Sequence, residues 1–349
     1  MIYIKSDPDN KNALDEILDL VKSEFVWYSI EEFEKDWSRS ILVYNTSKRP
    51  EKFKVILNWH LDVIPWKDFQ YEPKIDWDKL YWVGSMDMKS NVACMMEVFK
   101  TVSWIVDYPL WLQIVTDEEI WGFNWTKHQV DSWVNADFVI AWETTNFNIV
   151  NKAKWIIWLK IRFNWVTAHW AYPWRWENAI LKWFQEITNL LQKYPESKEW
   201  EWKTSVNLAF VETTNKTFNK IPDDFEISLD IRYIPEDKNK INNDIEELKK
   251  KYDVEIIANE PALFVEDDNF FVKMIQESVK DITNKSSLLY WANWSSDARH
   301  YMSIDSRWVE FWPIWWWIWT DEEWVSIESL KNFHNILEKF LVSLNNKKQ

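Results

Sequence analysis

The sequence predicts an α/β protein whose mostly parallel sheet is interrupted by a smaller α+β domain. Three observations predict it. Short apolar runs alternate with amphipathic helical windows between residues 11 and 141. Near residue 154 the pattern changes to alternating strands with two helices between them. After Pro261, helix and short-strand signals resume. The expected organisation is a split domain, 1–153 and 261–349, with 154–260 inserted. A chain of 349 residues is also long for one hydrophobic core.

Leu14, Ile17, Leu18, Val21 and Phe25 lie at helical spacing and predict a helix over 11–25. The apolar run at 54–58 predicts a buried strand, 89–102 a helix, and 112–115 and 137–141 two more strands. In the insertion, 156–163 alternates as a strand and 177–193 reads as a helix. Strands near 204–212 and 224–234, a helix at 238–251 and a strand at 252–258 follow. A closing helix fills about 326–345.

Hydrophobic content of 47% is ample for buried cores, and the net charge is −15. That charge argues against a nucleic-acid binder, which would need a basic face, and equally against binding to anionic membrane surfaces. The single cysteine, Cys94, rules out an internal disulfide and fits a reducing compartment. It lies in the run Val92-Ala93-Cys94-Met95-Met96 and reads as a small core residue. No basic segment followed by an apolar stretch opens the chain, and no apolar run is long enough to span a bilayer. The expected location is the cytoplasm.

The composition is unusual in one respect. Thirty residues are Trp and two, Gly84 and Gly122, are Gly. Ordinary usage is about 7% Gly. Several tryptophans stand where local chemistry favours glycine: Trp315-Trp316-Trp317 after Pro313, Trp294 in a polar turn, and Trp170 after His169. The expectation is that most are glycine in the native protein, through a genetic code that reads UGA as glycine.

Four stretches carry chemistry, each just after a strand, where open α/β sheets bind ligands. His60 and Asp62 are two apart, which suits a metal ligand and the group that orients it. Asp87 precedes a helix, where it could cap the helix or bridge two cations. Asp117-Glu118-Glu119 is a run of carboxylates that repels itself unless cations offset the charge. Glu143 follows the strand at 137–141. One imidazole and several carboxylates suit zinc, with cobalt or manganese as alternatives. There is no His-Glu-x-x-His helix, no phosphate-binding loop and no nucleophile elbow.

These motifs carry a family resemblance. They are 59–65 (Trp-His-Leu-Asp-Val-Ile-Pro), 81–89 (Tyr-Trp-Val-Gly-Ser-Met-Asp-Met-Lys), 117–122 (Asp-Glu-Glu-Ile-Trp-Gly), 142–145 (Trp-Glu-Thr-Thr), 168–173 (Ala-His-Trp-Ala-Tyr-Pro) and 294–299 (Trp-Ser-Ser-Asp-Ala-Arg). With Trp read as Gly, all six occur in family order. The chain resembles the two-zinc deacylases and peptidases that include acetylornithine deacetylase, succinyl-diaminopimelate desuccinylase, aminoacylase and glutamate carboxypeptidase. The resemblance runs from about residue 10 to the C-terminus. It implies a mostly parallel-sheet zinc-hydrolase domain with an inserted α+β lid and dimerisation domain, working as a homodimer. It implies two zinc ions held by His60, Asp87, Glu119 and Glu143, with Asp87 bridging. Asp62 would stand behind His60, and Glu118 would be the general base. In the lid, His169 would stabilise the oxyanion, and Asn219 and Arg232 would hold the substrate. From the residues alone, His169 reads as an ordinary loop histidine and Arg232 as a surface strand residue paired with Asp230. The implied substrate is an N-acyl amino acid or small peptide, with neither nucleic acid nor membrane as partner.

One position departs from the pattern. The family closes its metal site with a C-terminal histidine, followed by two variable residues, then Asn or Asp and Glu. Trp319 holds that place, and reading it as glycine restores no ligand. Water, Asp321 or Glu322 would then have to substitute. The competing expectation is a catalytically impaired relative that binds a metal or ligand.

Overall fold

The computed structural model describes all residues except 121–125, 142–144, 173, 175–177, 199–200, 295, 305, 317–320 and 346–349. Two compact units form. One comprises Met1–Lys152, Leu263–Tyr290 and Ser296–Gln349, and the other Ala153–Ala262 with Trp291–Ser295.

The first unit is built on an eight-stranded sheet. Its four central strands, in spatial order Leu110–Val115, Phe53–His60, Ala136–Ala141 and Arg307–Phe311, are parallel. Antiparallel strands flank them on both sides. Every residue of Leu110–Val115 is buried, as is nearly every residue of Phe53–His60. Strands covered on both faces must be apolar almost throughout, which is why these runs do not alternate.

Two polar exceptions, Asn58 and Gln113, bond across the sheet, Asn58 Nδ2 donating to Gln113 Oε1 at 2.6 Å. Gln113 also donates to Gln129 at 2.8 Å and accepts from the Tyr301 hydroxyl at 2.6 Å. Gln129 passes the chain on to Ser40 at 2.7 Å. A one-residue slip would break these buried bonds, so they pin the register that puts His60 opposite Val115.

The helices have readable starts. Asn10 accepts from Ala13 N–H at the head of Lys11–Ser23, which buries Leu14, Ile17, Leu18 and Val21. Ser326 caps Ile327–Ser343 and Asn269 caps Phe270–Thr283. Ile327–Ser343 packs against both Lys89–Val102 and Phe270–Thr283.

The second unit is a four-stranded antiparallel sheet in the order Ser205–Glu212, Asp224–Tyr233, Trp155–Asn164, Asp253–Glu260. Asp224–Tyr233 alternates strictly between buried and half-buried positions. Its buried Ile227, Leu229 and Ile231 join Leu159 and Ile161, and Ile187 and Ile241 from the helices Ala179–Lys193 and Lys238–Lys251. A short ladder elsewhere in this unit pairs Ala168 with Ile221 and His169 with Lys220.

One hairpin was not expected from the sequence: Ser29–Lys35 paired with Ser38–Tyr44. Its two turn residues, Asp36 (φ 46°) and Trp37 (φ 68°), are both left-handed. Two-residue turns of this kind favour Asp-Gly, and the Trp at the second place hides the signal. Two further tryptophans sit in glycine-type backbone. Trp77 (φ 52°) opens the two-residue turn between Lys74–Asp76 and Lys79–Tyr81. Trp133 (φ 66°) ends the helix Thr126–Asp131, with its N–H bonded to Val130 O at 3.0 Å and Val134 N–H to Gln129 O at 3.1 Å. That paired bonding is the helix stop in which glycine is strongly favoured.

The left-handed conformation costs an L-residue with a side chain about 1–2 kcal/mol. Trp133 is 83% exposed, so it buries little area in return. Trp133→Gly is therefore expected to stabilise the chain by about 1 kcal/mol, read by chemical denaturation. A loss of stability would show that the indole is an integral part of that helix end.

Candidate metal centre

The parallel register releases two loops side by side. His60 is the last residue of its strand, and Leu61 N–H extends the ladder to Val115 O at 2.9 Å. Glu118 and Glu119 follow Val115 within a short 3-10 turn. Asp62 ties the two loops together: its Oδ2 accepts from Glu119 N–H at 2.9 Å.

The His60 ring is fully buried. Its Nδ1 lies 2.9 Å from Asp62 O and 3.3 Å from Asp62 Oδ1. Donating from Nδ1 leaves the Nε2 lone pair facing the site, the usual orientation of a metal-ligating imidazole. Nε2 is 3.0 Å from Asp87 Oδ1. One ligand atom from each of His60, Asp87 and Glu119 falls within 4.8 Å of the others, the only such cluster among the described residues. Glu118 Oε2 stands 4.0 Å from His60 Nε2, outside that cluster.

Asp87 arrives on a loop held from several sides. Gly84 is left-handed (φ 77°), and a Cβ there would come within 2.9 Å of Val63 Cγ1, so this turn requires glycine. The Asn91 side chain donates to Met86 O at 3.1 Å. Glu323 Oε1 accepts from Met86 N–H at 2.8 Å and Asp87 N–H at 3.3 Å. Buried Lys89 donates to Ile4 O at 2.6 Å. The Ser6 hydroxyl then donates to Leu61 O at 2.6 Å, and Val63 N–H to Ser6 O at 3.0 Å. The N-terminal segment is thus bonded to both metal-site loops.

The electrostatics call for a cation. Burial, reinforced by Asp87, holds the Glu119 carboxyl well above its ordinary pKa. Burial and the Asp87 charge push Glu323 up to about 8, although backbone N–H groups oppose them. Burial would lower the His60 pKa, but hydrogen bonds to Asp62 and Asp87 outweigh it and raise it well. Burial lowers Lys89 to about 7 despite the Asp62 and Glu323 charges. Converging nitrogen and oxygen ligands, one of them driven toward protonation, fit a divalent metal ion.

The sequence-predicted residues divide into three sets. His60, Asp62, Asp87, Glu118 and Glu119 come together. Glu143 lies outside the described residues, as does Trp319. His169, Asn219 and Arg232 belong to the second unit. There, His169 Nε2 lies 3.3 Å from the Asn219 side-chain amide, while His169 Nδ1 accepts from Ala171 N–H at 3.0 Å. Arg232 donates to Asp230, and from Nη1 to Asn293 O at 2.9 Å.

Neither proposed substitute for the missing histidine reaches the cluster. Asp321 pairs with Lys67 at the surface, and Glu322 is exposed. The residue that turns inward is Glu323, which sequence reasoning did not single out. Its signal was its place as the last residue of the family's C-terminal motif.

The profile of peptidase family M20/M25/M40 matches residues 56–343. The chain belongs to this family. It is thus a metallo-amidohydrolase acting on amide bonds. Among curated relatives it is similar to the succinyl-diaminopimelate desuccinylase of Ehrlichia canis, with 26% identity over 267 residues and 69% of each chain covered. The corresponding enzyme of Erythrobacter litoralis is 25% identical, covering 70% of this chain and 69% of that one. Among solved structures, the aminopeptidase PepT from Bacillus cereus superposes with TM-score 0.78 at 17% identity, over 98% of this chain and 96% of that one. A tripeptidase from Staphylococcus aureus gives TM-score 0.78 at 17% identity, covering 99% and 96%. These likenesses establish the M20-type fold. Among the described residues, no helix is long and apolar enough to cross a membrane.

The raised groups set a pH dependence. Without metal, folded Glu119, Glu323 and His60 hold protons that the unfolded chain releases at lower pH, so their stabilisation fades as pH rises through their folded pKa values. Lys89 acts with opposite sign, but only above about 7. The loss therefore begins in the ordinary carboxylate range, at about 4.5, and is unopposed by Lys89 up to about 7. Metal binding requires deprotonated ligands and strengthens over the same range. Calorimetry is expected to show a lower metal-free Tm at about pH 7 than at about pH 5, with a larger zinc-induced rise at the higher pH. An equal rise at both would remove the assignment of this cluster as the metal centre.

Proposed function

We propose that this chain hydrolyses the amide bond of an N-acyl amino acid, of the deacetylase or desuccinylase type, or of a small peptide. The observation that carries the reading is the Glu118 carboxylate at 4.0 Å from His60 Nε2, beside three converging ligands without being one of them. The names of the curated relatives favour an acyl amino acid substrate.

In this reading His60, Asp87, Glu119 and Glu143 would hold two zinc ions, with Asp87 as the ligand shared between them. Bound zinc lowers the pKa of water and polarises the substrate carbonyl. Glu118 accepts the proton of the attacking water and returns it to the leaving amine, the two tasks of one positioned base. Asp62 keeps the His60 ring turned so that Nε2 faces the cation. His169 of the partner subunit donates from Nε2 to the carbonyl oxygen as negative charge develops there. Asn219 and Arg232 bind the substrate's carbonyl or carboxylate. The working form is a cytoplasmic homodimer.

Trp319, at the place of the family's C-terminal histidine, favours a second reading: an impaired relative that binds metal or ligand without turnover. Metal content together with activity on N-acetyl and N-succinyl amino acids and dipeptides separates the two.

Glu118→Gln keeps the shape and removes the base. Turnover is expected to fall by about 10²–10⁴-fold while bound metal stays the same. Turnover equal to that of the unsubstituted chain would refute Glu118 as the base.

A further inference from the structure

We propose that Glu323 is a positioning residue of the metal centre, holding Asp87 by capping the backbone of the loop that carries it. The proposal rests on the reading of Asp87 as a metal ligand and is independent of the substrate. Glu323 is separated from that loop by more than two hundred residues of chain, yet its Oε1 accepts from both Met86 and Asp87 N–H. The side chain is buried, 7% exposed. Its place is set by a β-ladder: Trp324 pairs with Tyr81 and Val325 with Leu80, which brings position 323 over the loop that follows Tyr81.

The loop needs such a partner. It turns through left-handed Gly84 and enters the helix Lys89–Val102 at Met88, whose side chain makes no capping bond. The two amides ahead of that helix would otherwise be buried donors without an acceptor, at about 1–3 kcal/mol each. A carboxylate satisfies both from one oxygen and fixes the direction of the Asp87 backbone. Outer partners of this kind govern metal affinity by orienting the ligands.

Cobalt titration followed by visible absorption tests this, since the cobalt spectrum reports ligand geometry. Glu323→Ala is expected to weaken cobalt binding about 10–100-fold and alter the spectrum, with kcat falling and KM nearly unchanged. Glu323→Gln keeps an acceptor oxygen at the same reach, so affinity and spectrum should be rescued to within about 3-fold, a difference below one hydrogen bond's worth. Should the alanine variant not fold, Glu323→Asp, one methylene shorter, takes its place with the same expected loss. An alanine or aspartate variant that binds cobalt like the unsubstituted chain overturns the proposal, as does a glutamine variant as weak as alanine. Failure of the unsubstituted chain to bind cobalt would instead refute the metal-centre reading itself.

A different set of observations carries a second inference. We infer that glycine stands at most tryptophan positions in the protein as its own organism makes it. Trp37, Trp77 and Trp133 occupy three left-handed positions of three different kinds: the second place of one hairpin turn, the first of another, and a helix stop. Each is a place where glycine is the preferred residue. The buried indole N–H groups of Trp59, Trp66, Trp82, Trp111, Trp183 and Trp308 have no hydrogen-bond partner. Buried tryptophans ordinarily find one. One reassigned codon, UGA read as glycine, accounts for the glycine deficit and the tryptophan excess together. Peptide mass spectrometry of the protein from its native source, covering Trp37, Trp77 and Trp133, decides it. Glycine at all three is expected, and intact tryptophan at these positions overturns the inference.

Discussion

Everything around the centre answers to one constraint: Asp62, Asp87, Glu119 and Glu323 are crowded about a single fully buried imidazole. Like charges at this separation in a poorly hydrated place cannot all ionise unless positive charge is supplied. Lys89 is a cationic side chain that feels the Asp62 and Glu323 charges, and burial depresses its own pKa to about 7. Its ammonium is also committed to Ile4 O. The balance is left to a metal ion, and the loops are fixed so that the ligands stay converged against their mutual repulsion.

The fixing is done largely by backbone. Parallel strands end at the same edge, so His60 and the Glu118–Glu119 turn emerge as neighbours with no long connection to order. Asp62 then joins the two loops: its backbone carbonyl stands 2.9 Å from His60 Nδ1, and its carboxylate accepts from Glu119 N–H. Ser6 bonds to Leu61 O, Glu323 takes the amides of the Asp87 loop, and Lys89, just after that loop, anchors it to Ile4 O. Side chains that bind metal need little freedom when the peptide groups beneath them are already bonded.

The central strands were legible because burial on both faces leaves a continuous apolar run, and Phe53–His60 and Leu110–Val115 have that signature. His60, Asp62, Asp87, Glu118 and Glu119 were legible because polar groups at strand ends stand out against such runs. The hairpin at 29–44 was not legible: its turn geometry favours Asp-Gly, and the sequence reads Asp36-Trp37. Glu323 was hidden for a different reason. It is one of three consecutive acidic residues, and which of them turns inward is decided by the pairing of Trp324–Ser326 with Lys79–Tyr81, a contact between distant segments. The approach of His169 to Asn219 likewise depends on a two-residue ladder too short to leave a periodic signal.

The departure at position 319 bears unevenly on the proposed centre. The ligands assigned to the first zinc, His60, Asp87 and Glu143, do not include that position. In the proposed assignment the second zinc would be held by Asp87 and Glu119, both anionic, without the neutral imidazole that would complete its set. Carboxylates alone give a harder site, more open to water and less selective for zinc than one with a nitrogen donor. Asp321 and Glu322 do not remedy this, since one is paired with Lys67 and the other is exposed. Glu323 does not remedy it either, because its Oε1 is bonded to the amides of the Asp87 loop. The same C-terminal motif that lacks its ligand at 319 thus retains, at 323, the group that holds the shared carboxylate in place. A buried glutamate beside Asp87 is costly through mutual repulsion, and a divalent cation at the cluster offsets that cost while the carboxylate satisfies the two amides.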